Sequence, residues 1–232
     1  MLLRAYSINN TNNNKFHASC KLKLDDEAVR VAVGLKLELD FCIPHNCHCG
    51  SSVDARGLHS FVCNKAPGRS ARHHVLIYLV ARNFASFEVP VTKEPAGLFW
   101  LDGKRPNGVS LVPWQSGKSL CWDVTVTCPL AESYVDRAYH QAGSAAELAA
   151  TRKEDKYVDL GARYIFEPIA IETLGVFNAS ARQLLADLRK RISINTGEAR
   201  ETSFLFQRIS VLVQRFNAVL LHDSLPAADC TD

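Results

Sequence analysis

The chain has no run of apolar residues long enough to cross a membrane. Its start, Met1-Leu2-Leu3-Arg4-Ala5-Tyr6, lacks the apolar stretch of a secretory signal. Membrane-spanning and exported classes are therefore set aside, and a nuclear or cytoplasmic, not secreted, protein is expected. The sequons at Asn9 and Asn178 then carry little meaning. A small disulfide scaffold is also excluded, because four of the eight cysteines crowd between Cys42 and Cys63 and the others are scattered. Strong charge of one sign is missing. A net charge of +3 permits nucleic-acid binding without arguing for it. There is no internal repeat. What is present is 47% hydrophobic and 22% charged, enough to bury one ordinary core with a small appendage.

The pattern divides the chain into four parts. Residues 1–24 read as a disordered Asn-rich tail, carrying Asn9-Asn10-Thr11-Asn12-Asn13-Asn14. Residues 25–66 read as a helix followed by a Cys/His segment. Ala28, Val31, Ala32, Leu35 and Leu39 give the helix its apolar face, and Asp25, Asp26 and Glu27 favour its start. The Asp25-Asp26 pair is read as helix-start acids and not as a polymerase metal site, because no strand-turn-strand pattern flanks it.

Residues 67–175 read as an α/β core. A helix runs to about Phe84. A strand through Phe87, Val89 and Val91 ends near Glu94. Asp102-Gly103 signals a turn, and two further strands pass through Val109 and Leu111 and through Leu120 to Val126. Ser144-Ala-Ala-Glu147 has the form of a capping box opening a helix to about Leu160, followed by a buried strand from Tyr164 to Thr173. Residues 176–232 read as a helical pair. Its second helix, from about Arg200 to Leu221, has an apolar stripe of Phe204, Ile209, Leu212, Val213, Phe216 and Leu220.

Cys47-x-Cys49 followed by His59-x3-Cys63 supplies three thiolates and one imidazole, the donor set of a structural zinc. Gly50 and Gly57 permit tight turns between the ligand pairs. Cys42 or His45 could replace Cys47 or Cys49, and a set of free thiols is the alternative. Four protein ligands leave no open position for water, so such a zinc would be structural.

In the strand through Asp123, Leu120, Trp122, Val124 and Val126 face one way and Cys121, Asp123 and Thr125 the other. Asp123 is then either a metal ligand or a solvated strand residue. Lys153 and Lys156 share a helical face beside Tyr157, where a lysine could neutralise a scissile phosphate or orient water. Arg69, Arg72 and His73 cluster at a helix start, a geometry suited to phosphate, and Lys104 and Arg105 lie beside Asn107.

Taken in order, Cys47-His-Cys49-Gly50, Gly57-Leu-His59-x3-Cys63, Gly68-Arg69-Ser-Ala-Arg72-His73, Asp102-Gly-Lys-Arg-Pro-Asn107-Gly, Val112-Pro-Trp114, Trp122-Asp123-Val-Thr, Lys153-x2-Lys156-Tyr157, Phe166-x-Pro168-x3-Glu172-Thr-Leu-Gly175 and Gln207-Arg208-Ile209-Ser210 form a specific series. Together they resemble the C-terminal part of non-LTR retrotransposon polyproteins, a zinc knuckle followed by a PD-(D/E)XK-type, restriction-like endonuclease. The resemblance runs from about Asp25 to Leu221. It implies a nuclease that nicks double-stranded target DNA with Mg²⁺ or Mn²⁺ so that the nick primes reverse transcription, with the element's own RNA as a second partner.

No reverse transcriptase is visible in the chain, which reads as a fragment or a shortened reading frame. By the resemblance, Asp123 is the second catalytic acid and Mg²⁺ ligand. Lys153 or Lys156 is the catalytic lysine, Tyr157 its neighbour and Glu94 an accessory acid. Position 107 should be the first acid, and Asn107 stands there. The cutting site is therefore expected to be weak or dead. The residues also allow Pro106-Asn107-Gly108 to be a plain turn. The alternatives to a nuclease are a non-catalytic zinc-dependent nucleic-acid-binding module and a helical protein-interaction domain. Target sequence and oligomeric state are not legible.

Overall fold

The computed structural model describes residues 23–98, 105–195 and 201–226. The Asp102-Gly103 turn, Lys104 and most of the Asn-rich tail lie outside them. Helix α1 (Asp26–Lys36) starts where the pattern places it. Asp25 is its N-cap and accepts the Ala28 N–H at 2.8 Å, and Asp26 and Glu27 occupy the favourable first turn. A hairpin of β1 (His45–Asn46) and β2 (Ser52–Val53) follows, then the short helix α2 (Leu58–Val62). Helix α3 (Pro67–Ser86) opens on a proline, whose missing N–H costs nothing in a first turn.

The main sheet holds β3 (Val91–Lys93), β4 (Gly108–Gln115), β5 (Lys118–Thr127) and β6 (Tyr164–Glu172), in that spatial order. The first three are antiparallel, and β6 runs parallel to β5. A parallel pair needs a crossover. Here it is made by α4 (Val135–His140), α5 (Ser144–Lys156) and a 3-10 turn over Val158–Ala162. Helices α6 (Ala179–Asn195) and α7 (Glu201–Ser224) end the described chain. The expected α/β class, a small mixed sheet flanked by helices, is the one adopted. No helix among the described residues is long and apolar enough to cross a membrane.

One face of β5 and β6 presents Leu120, Trp122, Val124, Ile169 and Ile171 to Leu76, Val80 and Phe84 of α3 and to Leu185, Ile209 and Val213 of α6 and α7. The Trp122 and Phe84 rings stack with centroids 6.0 Å apart. The C-terminal helical pair therefore completes the core, and the division drawn at residue 176 is not a packing boundary. Ile209, Leu212 and Val213 of the α7 stripe are buried in this core and Leu220 is buried against α1 and the Cys/His segment, so they are not open to a partner. The opposite face of β5 presents Cys121 to Tyr157 and Leu160, and carries Asp123 toward α5.

Two local expectations change. The strand from Phe87 shrinks to Val91–Lys93, because Phe87 caps α3 and Glu94 turns into the left-handed region at φ 45°. Helix α5 begins at Ser144, but without the capping box. Its N-cap is Gly143, and the buried Glu172 at the end of β6 accepts the Ala145 and Ala146 N–H groups at 3.1 and 3.3 Å. Glu147 instead accepts the Ala179 N–H at 2.6 Å, at the start of α6. A carboxylate from a distant strand has taken the place of the local one. The helix also ends at Lys156, four residues before Leu160, and the chain tightens into the 3-10 turn.

Glu167 on β6 offers a test of the electrostatics. Burial raises its pKa first. A hydrogen bond with Ser180 opposes this, and the neighbouring Glu154 and Asp187 add to the rise. A raised folded pKa means that stability is fully present at low pH and falls as the carboxyl ionises. Glu167→Gln is expected to raise Tm by about 1–3 °C at neutral pH, and the gain should vanish as pH drops below the carboxylate range. Thermal melts across that range check it, and an equal gain at all pH values would count against ionisation as the cause.

Candidate functional sites: a Cys/His cluster and a buried acid-lysine pair

The Cys/His cluster is built by the hairpin and α2. Cys47 follows β1, and Gly50 at φ 94° returns its N–H to the Cys47 carbonyl at 2.8 Å, which curls the chain so that Cys47 and Cys49 face inward. Gly57, at φ 64°, turns the chain into α2, which brings His59 and Cys63 opposite. The donor atoms of Cys47, Cys49, His59 and Cys63 all lie within 4.8 Å of one another. Cys47 Sγ and Cys63 Sγ are 3.7 Å apart, close to the roughly 3.8 Å edge of a tetrahedron with Zn–S bonds of about 2.3 Å. Cys49 Sγ stands 3.0 Å from His59 Nε2. Hydrogen bonds from Ser51, and then those with Cys47 and His59, pull the Cys49 thiol down to about 6. Burial pushes Cys47 up. Such a cluster could hold a metal ion such as zinc.

The alternative ligands are turned elsewhere. Cys42 Sγ donates to the Asp54 carbonyl at 3.2 Å, and the His45 ring lies 2.8 Å from the Ile43 carbonyl and 3.0 Å from Ser224 Oγ. Ser224 also accepts from Ser60 at 2.8 Å. The cluster is thus tied to the end of α7 through residues that no sequence spacing could single out.

The second site lies where α3, β3, β4, β5 and α5 meet. Asp123 is buried, not solvated, and Lys153 Nζ reaches its Oδ2 at 3.1 Å. Lys153, not Lys156, makes this contact. Lys156 Nζ lies instead over the Tyr157 ring at 5.2 Å, and Tyr157 is buried against Phe166 with ring centroids 4.8 Å apart. Tyr157 supports the wall behind Asp123, as does Cys121, whose thiol burial and the Asp123 charge push up to about 12.

Asn107 is not a free turn residue. Its N–H donates to the Trp122 carbonyl at 3.0 Å, and its carbonyl accepts the Glu94 N–H at 2.9 Å. Its side-chain Oδ1 accepts the Val124 N–H at 2.6 Å. The amide therefore satisfies the Val124 N–H of β5 just before β4 begins at Gly108. Its Nδ2 then points to His73 Nε2, 3.3 Å off. His73, expected at a phosphate contact, stands inside the acid-lysine cluster. Burial lowers its pKa first; Asp123 opposes this, and Lys153 adds to it. Glu94 is close enough to act on His73 and is itself paired with Arg105 at 2.7 Å.

The arginines of α3 are otherwise engaged. Arg69 donates to the Val62 carbonyl at 3.0 Å and to Asn64, tying α3 to the end of α2. Arg72 is buried, its Nη1 has no hydrogen-bond partner, and burial with the nearby Arg69 lowers it to about 10. The start of α3 is occupied by the Asp223 carboxylate, which accepts the Gly68 N–H at 2.7 Å. A helix start that already holds a carboxylate has less to offer a phosphate.

Fold and sites together define a mixed α/β chain with a Cys3His cluster able to hold a metal and a separate buried acid-lysine pair. No protein-family model matches the chain, and a search of curated proteins finds no match.

Proposed function

We propose that the chain is a restriction-like endonuclease module of the non-LTR retrotransposon kind, with a structural zinc on Cys47, Cys49, His59 and Cys63, whose cutting site is crippled at Asn107. The observation that carries this reading is the Asp123–Lys153 pair, 3.1 Å apart, with Asn107 hydrogen-bonded across β5 beside it. An acid on β5 paired with a lysine from the crossover helix, next to the strand position bonded by the Asn107 amide, supports the reading. Double-stranded DNA as substrate and the element's RNA as a second partner rest on the resemblance and not on Arg69 or Arg72, which serve the packing.

The charges explain the loss. Lys153 balances Asp123, and Arg105 balances Glu94, while Asn107 carries no charge and burial disfavours the charged form of His73. A divalent cation held on carboxylates would neutralise the scissile phosphate and activate a water. At this site the described carboxylates Asp123 and Glu94 are each paired with a cation, which weakens their pull on a divalent ion. Asp at the first position would supply another carboxylate, and its second oxygen could still accept the Val124 N–H. The alternative reading, a module that holds nucleic acid without cutting it, shares the resemblance and does without the missing acid.

A plasmid-nicking assay with Mg²⁺ and Mn²⁺ tests this. The native chain is expected to nick at least about 10²-fold more slowly than Asn107→Asp, and Asp123→Ala in that background to abolish nicking. If no variant cuts while all fold and bind zinc, the nuclease reading fails and the binding module replaces it.

A further inference from the structure

We infer that the exposed face of α3 and the adjoining strand β3 form a track for the phosphate backbone of double-stranded DNA, built from His74, Tyr78, Arg82 and Lys93. The inference rests on the reading above for the choice of DNA as ligand, and names the surface that would hold it.

The helix makes the track straight. His74, Tyr78 and Arg82 follow one another at four-residue steps, so they stand in one row on α3, and all three are exposed. The opposite side of α3 is sealed, with Leu76, Val80 and Phe84 buried in the main core, which fixes the direction in which the row faces. From His74 to Arg82 the helix rises about 12 Å, and one DNA strand rises about 3.4 Å per nucleotide, so the row spans about three to four phosphates. A rigid row suits a duplex, whose phosphates are regularly placed. Strand β3 adds a second cation. Lys93 is exposed, and its Nζ lies 5.1 Å from the centre of the Tyr78 ring, whose face draws the ammonium onto the row.

Arg82 and Lys93 supply charge, and the His74 ring and the Tyr78 hydroxyl supply hydrogen-bond donors, the groups that grip phosphate oxygens without reading sequence. Glu94, the acid next to Lys93, is paired with Arg105, so its repulsion of a phosphate is offset. The track also leads to the second site. His73, next to His74, has its Nε2 3.3 Å from the Asn107 amide, and Glu94 donates its N–H to the Asn107 carbonyl. A duplex laid along the row would therefore pass beside Asn107, whose amide bonds the strand that carries Asp123. The spacing of basic residues pointed instead to Arg69, Arg72, Lys104 and Arg105, which crowd in sequence. The members of the row are spread over two elements, and only the packing of β3 beside α3 unites them.

The test measures binding of a short fluorescent DNA duplex to the full, zinc-loaded chain over a series of salt concentrations, with no Mg²⁺ or Mn²⁺ present. Arg82→Gln and Lys93→Gln should each weaken binding and reduce the slope of log affinity against log salt by about 1, and together by about 2. Both side chains are exposed, so the variants should melt as the native chain does, which reports that the fold is intact. Lys36→Gln, exposed at the end of α1 and outside the row, should leave the slope unchanged. The inference is overturned if neither row variant changes the slope, if Lys36→Gln reduces it equally, or if a single strand of the same length depends on the row to the same degree. The nuclease reading fails separately. Nicking by Asn107→Asp, with the row variants binding as the native chain does, keeps that reading and removes this inference. Lost binding in the row variants, with no nicking by Asn107→Asp, keeps the track and removes the nuclease.

Discussion

Stripping the metal from Cys47, Cys49, His59 and Cys63 should lower Tm by more than about 10 °C and open the end of α7 along with the Cys/His segment. The segment cannot hold itself. Its strands are two residues each and its helix five. Apparent binding free energies for structural zinc run to about 10–16 kcal/mol, and in a chain of this size each kcal/mol is worth about 2–4 °C, so even a fraction of that term is visible.

The effect should spread, because the segment is docked. Cys47, Val53, Phe61, Cys63 and Ala66 pack in one cluster with Val31 and Leu35 of α1 and with Leu220 and Leu221 of α7. Ser60 and His45 meet Ser224, and Gly68 meets Asp223. Calorimetry with and without a chelator, and hydrogen exchange over α7, provide the check. Faster exchange is expected at the last turns of α7, with the β5–β6 amides still protected. An unchanged Tm after chelation, with metal content shown to be zero, would refute a structural metal. Cys63→Ser should reproduce the chelated state.

Gly108→Ala should cost about 3 kcal/mol or more and disturb the acid-lysine site. A Cβ at 108 would lie 2.2 Å from Trp122 Cζ2 and 2.4 Å from Cε2. Neither side has room to give. Trp122 is fully buried and stacked on Phe84, which in turn meets Trp114 edge-on with centroids 6.2 Å apart. Overpacking a dense core typically costs about 1–3 kcal/mol, and a rigid indole pinned on its far side belongs at the top of that range.

Residue 108 also sits next to the amide that bridges to Val124 and His73. Any shift of the strand start should loosen that bracket, and the His73 ring signals should move. The control is Trp122→Phe, which removes the clashing edge. Gly108→Ala and Trp122→Phe together should be less destabilising than their sum by at least about 1 kcal/mol. Strict additivity would show that the cost arises elsewhere.

Much of the framework is legible along the chain because it is local. Asp25 before an apolar 3.6-residue pattern specifies a helix start wherever it occurs, and α1 begins there. The stripe on α7 follows from single-element periodicity, and Ile209, Leu212, Val213 and Leu220 are buried as it demands, whereas β5 is buried on both faces, Cys121 and Asp123 included, which alternation alone does not predict. The donor types and spacings of Cys47, Cys49, His59 and Cys63 are likewise a short-range property, since one hairpin and one helical turn bring them together. Local rules misled where a distant group could do the same job. Glu172 displaced Glu147 at the start of α5, because a strand end carrying a carboxylate arrived at the exposed N–H groups.

The sequence by itself determined the α/β class, the starts of α1 and α5, the approximate courses of α3, α6, α7, β4, β5 and β6, and a donor set suited to zinc, because each depends on residues within a turn or two of one another. Tertiary structure alone decided that Lys153 and not Lys156 meets Asp123, that Arg72 is buried, that Ser224 anchors the Cys/His segment, and that His73 faces Asn107. Those facts depend on how α3, α5 and α7 rotate about their own axes as they pack. That rotation is set by side-chain volumes from several elements at once, and no spacing within one element records it.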